Sequence, residues 1–333
     1  MFEEIMRKIA PDAGKGTMNF DRISDSVIEF TLYSPSDGRS VIKSYVITPF
    51  SGMGIFYYHI PKTQKFSSSD NKAFAALKHF DFFKFNYCLG GRVEVFIKGK
   101  GKYAYLEEGM LAFDVNDMNT VLSFPKGGYT GFGIFFNFDL MTQEEISTLA
   151  AFGISKEACV ELYERDEACF LGNASSDIRS MIESIVDGID DRSIDVKFAR
   201  VQAVGILYRL LNNDVIPLGD SQYTTQGQRR LAEEAEKIMS EDLSVHLTAE
   251  DIAARLKCTA PTLKKYFRKV YGVPMYSYLQ KARLDRAAQR LRLGSGSIAL
   301  ISEEAGYQNQ SKFCAQFKKT YGVTPSEYRR LNS

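Results

Sequence analysis

The chain of 333 residues is long enough for two or three domains with sizeable cores. Charged residues make up 25% and apolar residues 44%, as in ordinary globular proteins, and the absence of a run of roughly 18 apolar residues excludes a membrane-spanning helix. The N-terminus MFEEIMRKIA is short and carries Glu3 and Glu4 near its start, unlike a signal peptide, and the five cysteines form no CxxC pair. The composition therefore predicts a protein of a reducing compartment, the cytoplasm.

The charge is divided unevenly along the chain. Residues 227–333 contain 19 Lys and Arg against 11 Asp and Glu, a net charge of +8. Residues 1–226 contain 23 against 30, a net charge of −7. A basic end on a nearly neutral chain predicts a polyanionic partner for that end, with a solvated helical surface as the alternative.

Residues 27–138 have the pattern of short antiparallel strands. The stretch RVEVFI at 92–97 alternates polar and apolar residues, and further strand-like stretches follow between glycine-rich breaks. Such close and regular spacing is typical of a sandwich or barrel. Of the 42 Phe and Tyr residues, 26 lie in the first 141 positions. Some of these rings are candidates to line a cavity, although plain core packing explains any single one as well.

The period changes to that of helices over residues 142–213. The last of these predicted helices is apolar on more than one face, so both faces must be buried, either internally or against a second subunit. Gly205 would permit close approach of another helix. One face is the predicted dimer contact: Ile194, Phe198, Val201 and Gly205. Residues 216–228, which include Pro217 and Gly219, are the predicted linker.

The segment 249–270 predicts a helix-turn-helix. Thr248 followed by Asp251 is a capping pattern for a first helix, and Thr259 can cap a second one. The second helix places apolar residues on one side and cations on the other: Lys264, Lys265, Arg268 and Lys269. Two short helices joined by a tight turn, the second one basic, are typical of this motif.

The segment 297–320 repeats the pattern. Ser297 and Asn309 are the predicted caps, and Gly306 supplies the turn. A helix over 274–293 lies between the two motifs and would span about 30 Å. Since one turn of DNA is about 34–36 Å long, the repeat predicts two recognition helices that enter successive major grooves.

Residues 229–333 resemble the AraC/XylS family of bacterial transcription regulators. The resemblance is carried by IAARLKCTAPTLKKYFRKVYG, then ARLDRAAQRL, then SIALISEEAGYQNQSKFCAQFKKTYGVTPSEYRR. It implies base-reading positions in the first recognition helix at Ala260, Pro261, Thr262, Lys264 and Lys265, and in the second at Gln310, Ser311, Lys312, Cys314 and Ala315. Among these, Lys264 or Lys265 has the donors to bind guanine O6 and N7, and Gln310 has the donor and acceptor to pair with adenine. Phosphate contacts are expected from the backbone at helix N-termini and from Arg268, Lys318 and Lys319.

The first motif departs from the family pattern more than the second. Lys257 stands where a turn glycine is common, which costs about 1 kcal/mol. Pro261 replaces a side chain that often reaches a base, and Pro274 stands where a Ser or Thr cap is usual. In the second motif Ala315 replaces a usual arginine, which removes an expected guanine contact.

The resemblance also implies a sensory domain ahead of the DNA-binding domain, and residues 83–115 resemble the cupin-like barrel that often fills this role. The expected effector contacts are Tyr57, Tyr87, Arg92, Tyr103, Tyr105 and Phe136. Three scattered histidines without an HxH pair predict no metal site and no cofactor. Without a metal the barrel is expected to bind a ligand rather than to catalyse a reaction.

The predicted fold class is α+β, with a cupin-like antiparallel β-barrel at 1–141 and a helical dimerisation segment at 142–215. The linker at 216–228 then leads to an all-α domain at 229–333 with two helix-turn-helix motifs joined by a linker helix. The predicted function is a homodimeric, effector-controlled regulator of transcription with double-stranded DNA as partner and RNA polymerase as a candidate partner. Two alternatives stay open: a regulator whose front domain only dimerises, and a fusion to an alkyl-transfer repair enzyme, which Cys88, Cys159 and Cys169 do not have the spacing to support.

Overall fold

The computed structural model describes residues 18–33, 40–60, 65–67, 82–97, 99–115, 121–124, 128–165, 169–212, 214–219, 222–245, 247–294 and 296–332. The chain divides into two compact units, residues 1–223 and 224–333. The boundary between Tyr223 and Thr224 lies inside the segment predicted as a linker. Among the described residues, no helix is long and apolar enough to cross a membrane.

The first unit is built on antiparallel β-structure, as the alternating sequence pattern predicts. Within the described residues, its larger sheet has nine strands in the order β1-β2-β3-β4-β11-β6-β9-β12-β13. Their bounds are β1 Met18–Ser24, β2 Val27–Tyr33, β3 Ser40–Phe50, β4 Met53–Ile60, β6 Phe83–Gly90, β9 Met110–Val115, β11 Tyr129–Phe136, β12 Phe170–Ala174 and β13 Val215–Pro217.

A second sheet, with four strands in the part of the chain that the structure describes, has the order β5-β10-β7-β8. Its strands are β5 Lys65–Ser67, β7 Arg92–Ile97, β8 Lys102–Glu107 and β10 Val121–Ser123. One face of this small sheet shares an apolar core with the large sheet. Val93, Val95 and Ile97 from β7 meet Cys88 and Ala112 there. The two sheets therefore form a sandwich with its own interior.

Helices cover the other face of the large sheet. They are α1 Gln143–Ala150, α2 Lys156–Arg165, α3 Ser176–Asp190 and α4 Val196–Leu211. α3 buries four isoleucines at helical spacing, Ile178, Ile182, Ile185 and Ile189. Together with α4 they form a second core with the aromatic residues of the sheet, among them Phe83, Phe85, Phe113, Phe132 and Phe136. The first unit thus has three layers: small sheet, large sheet and helices.

The structure differs from the sequence prediction at three places in the region predicted as helices or linker: strand β12, the pair Ile216 and Pro217, and Ile194. β12 lies within the predicted helical segment and pairs with β9, and Ile216 and Pro217 of the predicted linker pair with β12. Short strands of this kind are specified by partners far away in the sequence, so local periodicity does not reveal them. Ile194 precedes α4, which begins after its N-cap Asp195.

From Gln226 onward, the secondary-structure elements among the described residues of the second unit are all helices. Its elements are α5 Gln226–Glu241, α6 Ala249–Arg255, α7 Ala260–Tyr271, α8 Met275–Arg292, α9 Ile298–Glu304, α10 Gln310–Tyr321 and α11 Pro325–Asn332. The predicted caps are confirmed. The side chains of Thr248, Thr259, Ser297 and Asn309 each accept a hydrogen bond from a backbone N–H in the first turn of the helix that follows.

Each helix-turn-helix motif has an aromatic core of its own, and the two cores have the same arrangement of rings. The ring of Phe267 stacks on Tyr271 at 4.5 Å and meets Tyr278 edge-on at 5.4 Å. In the second motif the ring of Phe317 lies 4.5 Å from Tyr321 and 5.4 Å from Tyr328. Repetition of the sequence thus repeats the packing that holds each recognition helix.

Candidate nucleic-acid interface

The first recognition helix, α7, presents one exposed row of residues. Pro261, Lys264, Lys265 and Arg268 are exposed, while Ala260 and Thr262 are half-buried. Leu263, Phe267, Val270 and Tyr271 fill the opposite, buried side. The core therefore fixes which residues of α7 face solvent, and three of the four exposed residues in this row are cations.

The second recognition helix, α10, presents a longer exposed row with fewer cations near its start. The exposed residues are Gln310, Ser311, Lys312, Ala315, Lys318 and Lys319. Cys314 is half-buried and packs against the apolar cluster around Phe313 and Phe317. Of the positions that the family resemblance assigns to α10, Cys314 is therefore the one turned toward the core. The start of this helix offers one amide, one hydroxyl and one ammonium group, from Gln310, Ser311 and Lys312, whereas α7 offers the two ammonium groups of Lys264 and Lys265.

The two turns between the paired helices are left-handed. Gly306 has a φ of 74°, and Lys257 has a φ of 54° at the matching place of the first motif. Glycine adopts this conformation without the Cβ clash that other residues suffer. The strain expected at Lys257 from its sequence is therefore present. Gly306 has a second constraint, because an added Cβ would lie 2.7 Å from the carbonyl oxygen of Leu243.

The cations on α7 differ in their partners. Lys264 Nζ donates to Glu250 Oε1 at 2.9 Å across the turn between α6 and α7. This hydrogen bond, followed by the backbone N–H of Glu250 itself, lowers the pKa of the Glu250 carboxyl. Among the described residues, Lys265 and Arg268 form no salt bridge. Sequence reasoning did not single out Glu250, since no spacing rule connects it to Lys264.

The structure divides the expected effector contacts between two faces that do not meet. Tyr57, Tyr87 and Phe136 lie on the helix-covered face of the large sheet. Arg92 and Tyr105 lie on the face of the small sheet that points away from the shared core, where the guanidinium carbon of Arg92 is 4.4 Å from the ring centre of Tyr105. Tyr103, on the same strand and face as Tyr105, contacts Phe96.

A different polar group lies between the two sheets. Tyr58 donates from its hydroxyl to Asn86 Oδ1 at 3.3 Å. Lys84 Nζ and Asp114 Oδ1 are 3.1 Å apart on neighbouring strands, and burial raises the pKa of the Asp114 carboxyl despite the nearby lysine. Polar groups inside an apolar sandwich are costly, so this set is a second candidate for ligand contact beside the six residues taken from the sequence. Among the described residues, no three His, Cys, Asp or Glu side chains are grouped to hold a metal ion.

The expected dimer residues of α4 are also divided. Phe198 and Val201 are 44% and 67% exposed, and Tyr208 two turns later is 47% exposed. Gly205 instead faces α3, where an added Cβ would lie 3.1 Å from the Met181 side chain. Gly205 therefore serves the packing of two helices within one subunit. The exposed apolar stripe of α4 consists of Phe198, Val201 and Tyr208.

The second unit is similar to domains of known proteins. Residues 252–331 match a family of helix-turn-helix domains. The chain is 29% identical over 129 residues to the Msm operon regulatory protein of Streptococcus mutans, which covers 38% of this chain and 46% of that protein. It is 29% identical over 114 residues to the HTH-type transcriptional activator AarP of Providencia stuartii, covering 34% of this chain and 84% of that protein.

Among solved structures, the chain is similar to a transcriptional regulator with an AraC-type DNA-binding domain from Chromobacterium violaceum. The match has 26% identity and a TM-score of 0.31, and it covers 32% of this chain and 96% of that one. The chain thus spans less than half of the streptococcal relative, and the relatives are regulators of transcription rather than enzymes. The match over residues 252–331 shows that the second unit carries a helix-turn-helix domain, and the chain is also 31% identical over 83 residues to a putative AraC-like transcription regulator of Streptomyces lividans, covering 25% of this chain and 27% of that protein.

Proposed function

We propose that this protein is a homodimeric regulator of transcription that contacts two successive major grooves with each subunit and responds to a small-molecule effector. The observation that carries the proposal is the pair of exposed rows of residues on α7 and α10. Each of these helices is held by its own aromatic core, and the two cores are built alike. α8 joins the two motifs and, with 18 residues, is about 27 Å long. This length suits recognition helices spaced by about one turn of DNA.

The base contacts follow from the chemistry of the two rows. Lys264 and Lys265 donate to guanine O6 and N7, and Gln310 pairs with adenine through N6 and N7. Arg268, Lys318 and Lys319 lie further along their helices and contact phosphates. Ala260, Pro261, Thr262, Ser311, Lys312 and Ala315 shape the surface that enters the grooves, whereas the half-buried Cys314 supports it from the core side.

The effector would bind in the first unit, a cupin-like sandwich in this proposal. Support comes from the polar group of Tyr58, Asn86, Lys84 and Asp114 between the sheets. Effector binding would change the pairing of two subunits through the exposed stripe of α4, which is apolar and lacks a cover among the described residues. RNA polymerase is then the partner through which bound protein activates or blocks transcription.

Salt dependence tests the DNA contact. Selection of an operator from random DNA, followed by titration of the full chain at several salt concentrations, measures the slope of log K against log salt. With about eight phosphate contacts in the whole complex we expect a slope near −7. Replacement of Lys265 by alanine should weaken operator binding more than binding to unrelated DNA. A flat salt dependence would contradict the DNA-binding proposal.

Thermal unfolding of the full chain tests the effector. A panel of sugars, fatty acids, bile acids and aromatic acids is screened for a rise in the unfolding temperature of the first unit. A ligand at 100 times its dissociation constant adds about 2.7 kcal/mol to the free energy of unfolding, which corresponds to a shift of roughly 5–10 °C. The shift should disappear in Asn86→Ala. A panel without any shift would favour a front unit that only dimerises.

A further inference from the structure

One carboxylate stands on the surface proposed to meet DNA. Glu250 lies in the first turn of α6, and its Oε1 accepts a hydrogen bond from Lys264 Nζ at 2.9 Å. Both side chains are exposed. Because the first helix of a helix-turn-helix crosses the DNA backbone, this carboxylate lies where phosphates approach. An acidic residue at such a place opposes binding to any DNA sequence unless it has a specific role.

Glu250 is not part of the capping box that begins α6. The capping box of α6 is complete without it, since Thr248 Oγ1 accepts from the Asp251 N–H at 3.1 Å and Asp251 Oδ2 accepts from the Thr248 N–H at 2.9 Å. The second motif folds in the same way without such a pair. Counted from the N-caps Ser297 and Asn309, the matching positions hold Ala299 and Cys314. The pair is therefore an addition to the repeated scaffold.

We infer that Glu250 is a positioning residue that makes Lys264 selective for guanine. A lysine ammonium has three N–H donors, and Glu250 occupies one of them. Two donors remain, which is the number that guanine O6 and N7 accept in the major groove. The carboxylate thus directs the ammonium toward a base with two adjacent acceptors. This inference rests on the proposed DNA-binding function.

The same pair disfavours binding to the DNA backbone. A phosphate bound by Lys264 would lie beside the Glu250 carboxylate, and the two negative charges would repel each other, whereas a neutral guanine base brings no such charge. Lys265 and Arg268, which form no salt bridge with the described residues, carry no such restriction. Glu250 therefore lowers the affinity for unrelated DNA more than the affinity for an operator with guanine at the matching position.

The test compares Glu250→Gln with the wild-type full chain on the selected operator and on an unrelated duplex. Glutamine keeps the size of the side chain and removes its charge. We expect tighter binding to the unrelated duplex, with a salt slope steeper by about 0.9 for each bound subunit, as Lys264 becomes free to contact a phosphate. The ratio of the two affinities should fall about tenfold, in the range given for one guanine contact. Selection from random DNA with the variant should lose the preference at one guanine, and Lys264→Ala should lose the same one.

Glu234→Gln is the matched control. Glu234 is an exposed carboxylate paired with Arg230 at 3.5 Å on α5, a helix that packs against the buried side of α7. This variant should leave the affinity ratio and the slope unchanged. The inference is wrong if Glu250→Gln alters binding to operator and unrelated duplex by the same factor, or if it behaves as the control does. Failure of the wild-type chain to bind any duplex in a salt-dependent way would instead overturn the proposed function itself.

Discussion

Phe267 and Phe317 occupy matching places in the two helix-turn-helix motifs. Each ring lies 4.5 Å from the tyrosine one helical turn later and 5.4 Å from the tyrosine of the following helix. Each phenylalanine is fully buried. The position of each recognition helix is therefore set by one aromatic contact group, and the two groups are built alike.

Removal of the Phe267 ring or of the Phe317 ring should destabilise the protein to the same extent. We expect Phe267→Ala and Phe317→Ala each to lower the free energy of unfolding by about 3–5 kcal/mol, because a large cavity is left among the tyrosines. Urea unfolding followed by far-ultraviolet circular dichroism measures the change. The exposed Thr320→Ala on α10 is the control and should change stability by less than about 0.5 kcal/mol. A loss below 1 kcal/mol for either phenylalanine would show that the rings do not hold the helices.

Alanine substitutions at Gly306 and Gly322 distinguish the loss of stability caused by a left-handed backbone from the loss caused by a steric clash. Gly306 and Gly322 have φ values of 74° and 80°. An added Cβ at Gly306 would press on Leu243 O and on the Arg283 guanidinium, which donates to that oxygen at 2.8 Å, whereas no atom lies within 4 Å of one at Gly322. Gly322→Ala should cost about 1 kcal/mol and Gly306→Ala about 2–4 kcal/mol. If thermal unfolding shows that both variants lose the same stability, the atoms around Gly306 move aside without a measurable loss of stability.

At Lys257 the opposite substitution, from a side chain to glycine, is expected to relieve backbone strain. The φ of 54° at this residue is unfavourable for a side chain, so Lys257→Gly should stabilise the protein by about 1 kcal/mol, while Lys257→Ala keeps the strain. The greater freedom of glycine in the unfolded chain subtracts from this gain. Urea unfolding of the two variants measures the difference. A glycine variant no more stable than the alanine variant would show that the turn relaxes around Lys257.

The sequence predicted those features whose determinants are local. The caps at Thr248 and Ser297 and the turn at Gly306 each depend on residues within about four positions, and all three form as expected. The recognition helices could also be oriented from sequence, because the apolar positions Leu263 and Phe267 fix their buried side.

Features that depend on distant partners were not predictable in the same way. Strand β12 is defined by pairing with β9, some sixty residues earlier. The face on which Tyr87 or Arg92 lies depends on which side of its sheet is covered, and the alternation of a strand does not say which side that is. The contact between Glu250 and Lys264 crosses a turn whose geometry is set by the left-handed Lys257.

A pH-dependent effect is expected at Glu145, which ties α1 to the turn between β3 and β4. Partial burial would raise the pKa of this carboxyl, but hydrogen bonds from Ser51 and Thr142 outweigh burial and lower it. The backbone N–H groups of Ser51 and Thr142 donate to it at 2.8 Å. A lowered pKa contributes stability that is present above the unfolded value and is lost as the pH falls through the folded value.

Glu145→Gln should therefore be less stable than the wild type at pH 7, by about 1–2 kcal/mol for weakened charge-assisted bonds. The difference should shrink as the pH falls below the usual glutamate value of 4.5. Thermal unfolding between pH 7 and pH 3 measures this. Glu144→Gln, a change on the same helical turn, should follow the wild type at every pH. A difference for Glu145→Gln that stays constant with pH would assign the effect to shape rather than charge.

The exposed stripe of α4 predicts the state of assembly. We expect the full chain to have twice the mass of 37.5 kDa in sedimentation equilibrium. Val201→Glu should make it monomeric, because a carboxylate at this 67% exposed position would have to be buried without a partner in the dimer. Ile216→Glu is the control: Ile216 is 72% exposed on β13, at the edge of the large sheet. If Ile216→Glu breaks the dimer and Val201→Glu does not, the subunits meet along the sheet edge and α4 is not the interface.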